Sequence, residues 1–209
     1  MTAQAGELDR LLAAIRSCRY CVETPQGQPL RHEPRPVLRA SSTARLAVCS
    51  QAPGTKVHLS GTPFTDASGD RLRDWMGVSP QEFYDEARVA IVPMGFCFPG
   101  QDENGADLPP RRECAPLWHW KLFAALPQIE LVLAIGSYAQ RFHIGDEVGA
   151  SLQETMLAWR QHLRRKRRPR VLPLPHPSWR NNAWLKQNPW FETELLPVLR
   201  RKVRALLQK

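Results

Sequence analysis

The chain has 209 residues, of which 43% are hydrophobic, and carries a formal net charge of +9 at pH 7. That length suits a single domain, 1–209, with a full core, and the apolar content excludes a disordered chain. No apolar stretch reaches the roughly 18–20 residues needed to cross a bilayer, so no membrane-spanning helix is expected; the charge favours a polyanionic partner, nucleic acid first, although an indifferent basic surface fits it too.

The opening segment MTAQAGELDR lacks the apolar core of a secretory signal. A cytoplasmic location is expected, and disulfides are rare there. The five cysteines then serve as core residues, reactive thiols or metal ligands.

In chain order, Leu8, Leu11, Leu12 and Ile15 recur at helical spacing and predict a helix to about Cys18. A polar, proline-containing stretch from Glu23 to Pro36 reads as an irregular connection. Four continuous apolar runs follow: Arg45–Ser50, Arg88–Met94, Glu130–Gly136 and Arg170–His176. Continuous runs, unlike alternating ones, suit parallel strands covered on both faces. Between them lie helical segments: a short one at Leu72–Met76, a turn capped by Ser79, Ala115–Leu126, and a helix from a Ser151/Glu154 capping box to about Arg164. Asn188-Pro189 reads as the start of the last helix, which Pro197 should kink or limit. The alternation predicts a three-layer α/β/α domain around a four-stranded, mainly parallel sheet. Ligands in such domains bind beyond the carboxyl ends of the strands, here at the loops that begin at Ser50, Met94, Gly136 and His176.

Two of these loops have chemical promise. The first runs Ser50-Gln51-Ala52-Pro53-Gly54 and continues from His58 to Asp66, with Phe64 just after a Gly-x-Pro turn. Its ring either stacks on a base or packs in the core. The last, Pro175-His176-Pro177-Ser178-Trp179-Arg180-Asn181-Asn182, fixes a histidine between two prolines at a strand end. Restraint of that kind suits a preorganised catalytic group, although a lone histidine also serves structural ends.

QAPG after the first strand, the Gly-x-Pro-Phe turn and HPS after the last strand together resemble the signature of uracil-DNA glycosylases, from about Ala44 onward. HxSGxPFxDxSGxRLRxWMG, LPPRxECAPLW, GSYAQ and LKxNPWFE resemble a bacterial branch of that family. The resemblance implies an enzyme that flips a nucleotide out of the duplex and breaks its glycosidic bond, giving a sugar cation and a base anion. His176 would stabilise the departing base as a hydrogen-bond donor. Phe64 would stack under it, while Gln51, Ala52 and Gly54 would shape the pocket and position water. Ser178, Trp179, Arg180 and Asn181 would contact DNA. No lysine stands in the segments Ser50–Gly54, His58–Asp66 or Pro175–Asn182 to act as a Schiff-base nucleophile, so a lyase is not expected.

Two departures stand out. Relatives often place a carboxylate or asparagine in the first motif to handle water, where this chain has Gln51 and Ala52. His58 and Asp66 are candidate replacements, although Asp66 can equally cap the turn at Ser68-Gly69 and His58 can lie at the surface. Iron–sulfur members read the uracil edge with an asparagine four residues before the third cysteine; here that residue is Pro93, which leaves Met94 and the neighbouring backbone amides. Another deaminated or damaged base is therefore an alternative substrate, and a DNA-binding protein with little catalysis is the alternative function.

Cys18 and Cys21 form C-x-x-C, while Cys97 follows the second strand and Cys114 starts a helix. The set resembles the four ligands of glycosylases that hold a [4Fe–4S] cluster, with zinc or free thiols as alternatives. Cys49 reads as a buried apolar residue. The basic run Arg164–Arg170, including Arg165, Lys166 and Arg167, is either a solvated face or a track for the DNA backbone. Nothing demands a dimer, so a monomer is expected.

Overall fold

The computed structural model of the chain describes residues 3–166 and 168–208. The four apolar runs form strands β1 (Leu46–Cys49), β2 (Val89–Ile91), β3 (Leu131–Ile135) and β4 (Arg170–Leu174). They make one sheet in the order β2-β1-β3-β4, and every pair is parallel. Parallel neighbours require crossovers. Helices α1 (Ala3–Arg16) and α2 (Tyr20–Glu23) precede β1, while α3 (Thr55–Ser60), α4 (Ala67–Met76) and α5 (Pro80–Tyr84) lead from β1 to β2. Helix α6 (Cys114–Ala124) leads from β2 to β3, and α7 (Gly136–Ile144), α8 (Leu152–Leu157) and α9 (Trp159–Arg164) lead from β3 to β4; α10 (Asn182–Gln187) and α11 (Leu196–Leu207) follow β4. None among the described residues is long and apolar enough to cross a membrane.

Alternation along the buried strands separates two cores. Leu46, Val48, Leu131, Leu133 and Leu172 face one side, where Leu72, Trp75, Phe191 and Leu199 close the layer. Ala47, Cys49, Ala90 and Ala134 face the other, against Leu12, Ile15 and Leu122 of α1 and α6. The small side chains on this face let the helices approach closely. Burial pushes the Cys49 thiol far up, as its assignment to the core requires. The expected three layers are therefore present.

Both sheet edges are modified. Arg39 exchanges two backbone hydrogen bonds with Ile91 of β2, at 2.9 and 2.7 Å. In β4 the Arg170 N–H points inward to the Glu130 carbonyl (3.0 Å), so the outward parity falls on Val171 and Pro173.

Several boundaries differ from expectation. α4 begins five residues before Leu72 because the Asp66 side chain accepts from the Gly69 N–H at its first turn. Ser79 and Glu82 form a full capping box on α5. The helix opened by Ser151 breaks at Ala158 and restarts as α9. Asn188 caps no α-helix; its side chain instead binds the Trp184 carbonyl, Gln153 and Trp190. Phe191–Leu195 winds as a π-helix ahead of Pro197, and this wider turn accommodates a residue that has no N–H to donate.

Candidate active site

The first loop is organised around Phe64, which adopts a left-handed backbone (φ +57°). That conformation costs a side-chain-bearing residue on the order of 1–2 kcal/mol. Surrounding groups hold it there: Arg73 Nη1 donates to the Phe64 carbonyl (3.0 Å), and the Tyr84 hydroxyl lies 3.0 Å from that oxygen and 2.9 Å from the Pro63 carbonyl. Gly69 gives the carbonyl its space, since a Cβ there would lie 1.9 Å from the Phe64 oxygen. The Phe64 ring, 8% exposed, meets Phe83 edge-on. It thus belongs to the core and to the pocket wall at once.

The last loop is braced around His176. The Ser178 backbone N–H donates to Nδ1 at 3.3 Å. An amide N–H can only donate, so the neutral ring carries its proton on Nε2. Asn181 Nδ2 donates to the His176 carbonyl (2.7 Å), while Arg71 on α4 donates to the Ser178 carbonyl (3.3 Å) and to Asn182 Oδ1 (2.8 Å). Burial pushes the His176 pKa below its ordinary value; Asp66 and Asp107 oppose this, and Arg180 reinforces it. The ring is therefore a neutral N–H donor at physiological pH.

These loops enclose a cavity of about 100 Å³ at the carboxyl ends of β1, β2 and β4, lined by Ala52, Gly54, Phe64, Asp66, Asp107 and His176. Pro93 also lines it, with its carbonyl 3.1 Å from Nε2 of the buried His119, a ring that desolvation holds down at about 4. Asp107 escaped the sequence reading. It sits on a hairpin over residues 100–108, closed through Asn104-Gly105, where Gln101 binds its Oδ1 at 3.2 Å. Its other oxygen stands 2.9 Å from where a Cβ on Gly54 would lie. The Asn-Gly pair is the signal that marks such a hairpin.

A second groove, about 360 Å³, shares His176 with the first and is lined by Gln51, Ser137, Arg141, Ser151 and Asn181. Gln51 therefore faces this groove and not the cavity. Ser137 belongs to the GSYAQ segment at the start of α7 and Arg141 directly follows it; neither residue carried an expected role.

Other candidates are placed elsewhere. Met94 is turned into the core at 4% exposure, and its amide is committed to the Ser50 carbonyl (2.8 Å), as is that of Gly95 to Gln51 (2.9 Å). Neither amide is available for base reading; the expectation for Met94 is corrected. His58 packs against His32 and Phe98 outside the cavity, which corrects its proposed role as water base. Trp179 is 73% exposed on the loop beyond Ser178, with the Arg180 guanidinium 6.0 Å from its ring centre. The basic run does not adjoin His176. Arg170 opens β4 and His176 follows its end, so the two lie roughly 20 Å apart along an extended strand. Arg165 is paired with Glu147, and Arg167 lies outside the described residues.

Cys18, Cys21, Cys97 and Cys114 line one small cavity together with Ile15 and Trp118. Burial raises the thiol of Cys97 to about 12 and pushes Cys21 and Cys114 upward as well. Among the described residues no three His, Cys, Asp or Glu side chains stand in metal-holding positions. What fits a four-thiolate centre is the donor type alone: four cysteines from three separate segments that line one cavity.

The fold is an α/β domain with a cavity at the carboxyl ends of a parallel sheet, lined on its walls by the Phe64 ring and the His176 imidazole. Residues 39–200 match the family model of the uracil DNA glycosylase superfamily. The chain belongs to that superfamily.

Proposed function

We propose that the protein is a monofunctional DNA glycosylase that hydrolyses the N-glycosidic bond of uracil or a related deaminated or damaged base during base-excision repair. The observation that carries this reading is the meeting of His176, Phe64, Asp66 and Asp107 at one cavity. A flipped base stacks on Phe64. As the glycosidic bond breaks, its electron pair goes to the base, and the His176 Nε2–H donates to the oxygen that gains charge. The sugar cation left behind is stabilised by the nearby carboxylates. Water adds to its anomeric carbon and gives up a proton to Asp66 or Asp107, which take the place of the acid absent from the first motif. Ser137, Arg141 and the Ser178 hydroxyl grip phosphate along the second groove, Trp179 and Arg180 occupy the gap in the base stack, and Asn181 acts as a positioning residue through the His176 carbonyl.

Oligonucleotides that carry uracil, hypoxanthine, xanthine or no lesion, single- and double-stranded, provide the test. Alkali-labile abasic sites in one lesion substrate are the expected result. Binding without product on every substrate would instead favour a DNA-binding protein without catalysis, the reading suggested by Gln51 and Ala52 where relatives carry an acid.

The four cysteines are proposed to hold a [4Fe–4S] cluster, with zinc as the alternative. Bound, it would contribute a rigid crosslink between α1–α2, the loop after β2 and the start of α6, with no part in the bond cleavage. Anaerobically purified protein is expected to contain about four iron atoms per chain and to melt at a lower temperature once Cys97→Ala removes one ligand. Protein that lacks both iron and zinc refutes the centre.

A further inference from the structure

At the foot of the sheet, opposite the active site, lies a recess of about 200 Å³ lined by Arg168, Arg170, Lys202, Glu130 and the apolar side chains of Leu131 and Leu163. Arg168 and Arg170 come from the basic run, and Lys202 comes from α11. The lining carboxylate, Glu130, is held by Arg45 at 2.7 Å. Among the described residues no acid lies within ion-pair distance of Arg168, Arg170 or Lys202, whereas Arg19, Arg73, Arg111, Arg160, Arg165 and Arg204 all have carboxylate partners. The molecule thus neutralises many of its cations and leaves this group uncompensated. The crowding is also felt within the group, because burial and the guanidinium groups of Arg170 and Arg201 push the Lys202 ammonium below its ordinary value. A concave wall with several unneutralised cations is stabilised when an anion enters and relieves their repulsion.

We infer that this recess is a second phosphate-binding site, separate from the catalytic groove. Its ligand is a phosphate group, either on a nucleic-acid backbone or on a free phosphorylated molecule. Because every strand is parallel, the recess lies at the amino end of the sheet, away from the cavity that takes the base. A strand bound there is a further segment of a long duplex or a second molecule. The inference does not depend on which base is removed, or on whether any is.

The test compares the full chain with a triple variant, Arg168→Gln, Arg170→Gln and Lys202→Gln, using a long lesion-free duplex, a short one and inorganic phosphate as probes. If the backbone is the ligand, the slope of log K against log salt on the long duplex falls by about 2–3, while binding of the short duplex changes little. If a free phosphate is the ligand, the variant loses the phosphate-induced NMR shifts that the parent protein shows at Leu131, Leu163 and Ala205 of the recess wall and keeps the duplex slope. An unchanged slope together with no phosphate-induced shift in the parent protein overturns the site. Arg168→Gln alone, at a residue outside every helix and strand, keeps the test available if the triple variant is unstable. Failure of base release with retained slope loss would count against the glycosylase reading and not against this one.

Discussion

His176→Ala is expected to slow base release at least a hundredfold, the scale seen when a single donor to a developing oxyanion is removed, while the chain stays folded. The loss should fall on the rate of the chemical step and leave DNA binding nearly intact, because the ring donates most strongly when the base gains charge. Single-turnover kinetics on a lesion oligonucleotide, with circular dichroism as the fold control, provide the measurement. A variant that kept full activity would remove His176 from the mechanism. The pH dependence should agree in sign. The His176 pKa is depressed, so the neutral form persists above and through the ordinary imidazole range. Activity lost through this residue should appear only on acidification below about pH 6.5. Protonation of Nδ1 then removes the acceptor that the Ser178 N–H uses and loosens the loop in the same step.

Gly69→Ala is expected to destabilise the protein by about 3 kcal/mol, the upper range for a side chain forced into filled space. Helix propensity alone predicts the opposite sign, with alanine favoured by about 1 kcal/mol within a helix. The steric term wins because the new Cβ would meet the Phe64 carbonyl carbon at 2.6 Å as well as its oxygen. Relief would require the left-handed Phe64 turn to open and the clamp from Arg73 and Tyr84 to break. Gly6→Ala in α1 is the control, since nothing lies within 4 Å of its added Cβ. It should stabilise the chain by up to about 1 kcal/mol. Equilibrium denaturation of both variants decides the matter, and equal effects at the two positions would discount the Phe64 clamp.

The strands were legible because buried parallel strands are continuous apolar runs, and all four fall within the expected segments. Asp66 as a cap, Ser79 as the start of a turn and Cys49 as a core thiol were legible for the same local reason: each depends on neighbours within a few residues. Met94 was not, because whether a residue after a strand faces cavity or core depends on where its amide finds a partner, here Ser50 just beyond the adjacent strand. Asp107 reaches the cavity only through a hairpin that folds back over Gly54, a contact between distant parts of the chain. The basic run is different. Its position opposite His176 follows from the sequence alone, because a strand that starts at Arg170 and ends before His176 must separate them by its own length.

The sheet margins have a consequence for how copies of this chain behave at high concentration. An edge strand with open N–H and C=O groups is a template for intermolecular pairing. On the β2 side Arg39 occupies both groups of Ile91. On the β4 side Pro173 falls on the outward parity and has no N–H to offer. Neither margin gives an incoming strand a continuous ladder, so the sheet resists extension by a second copy into ordered aggregates.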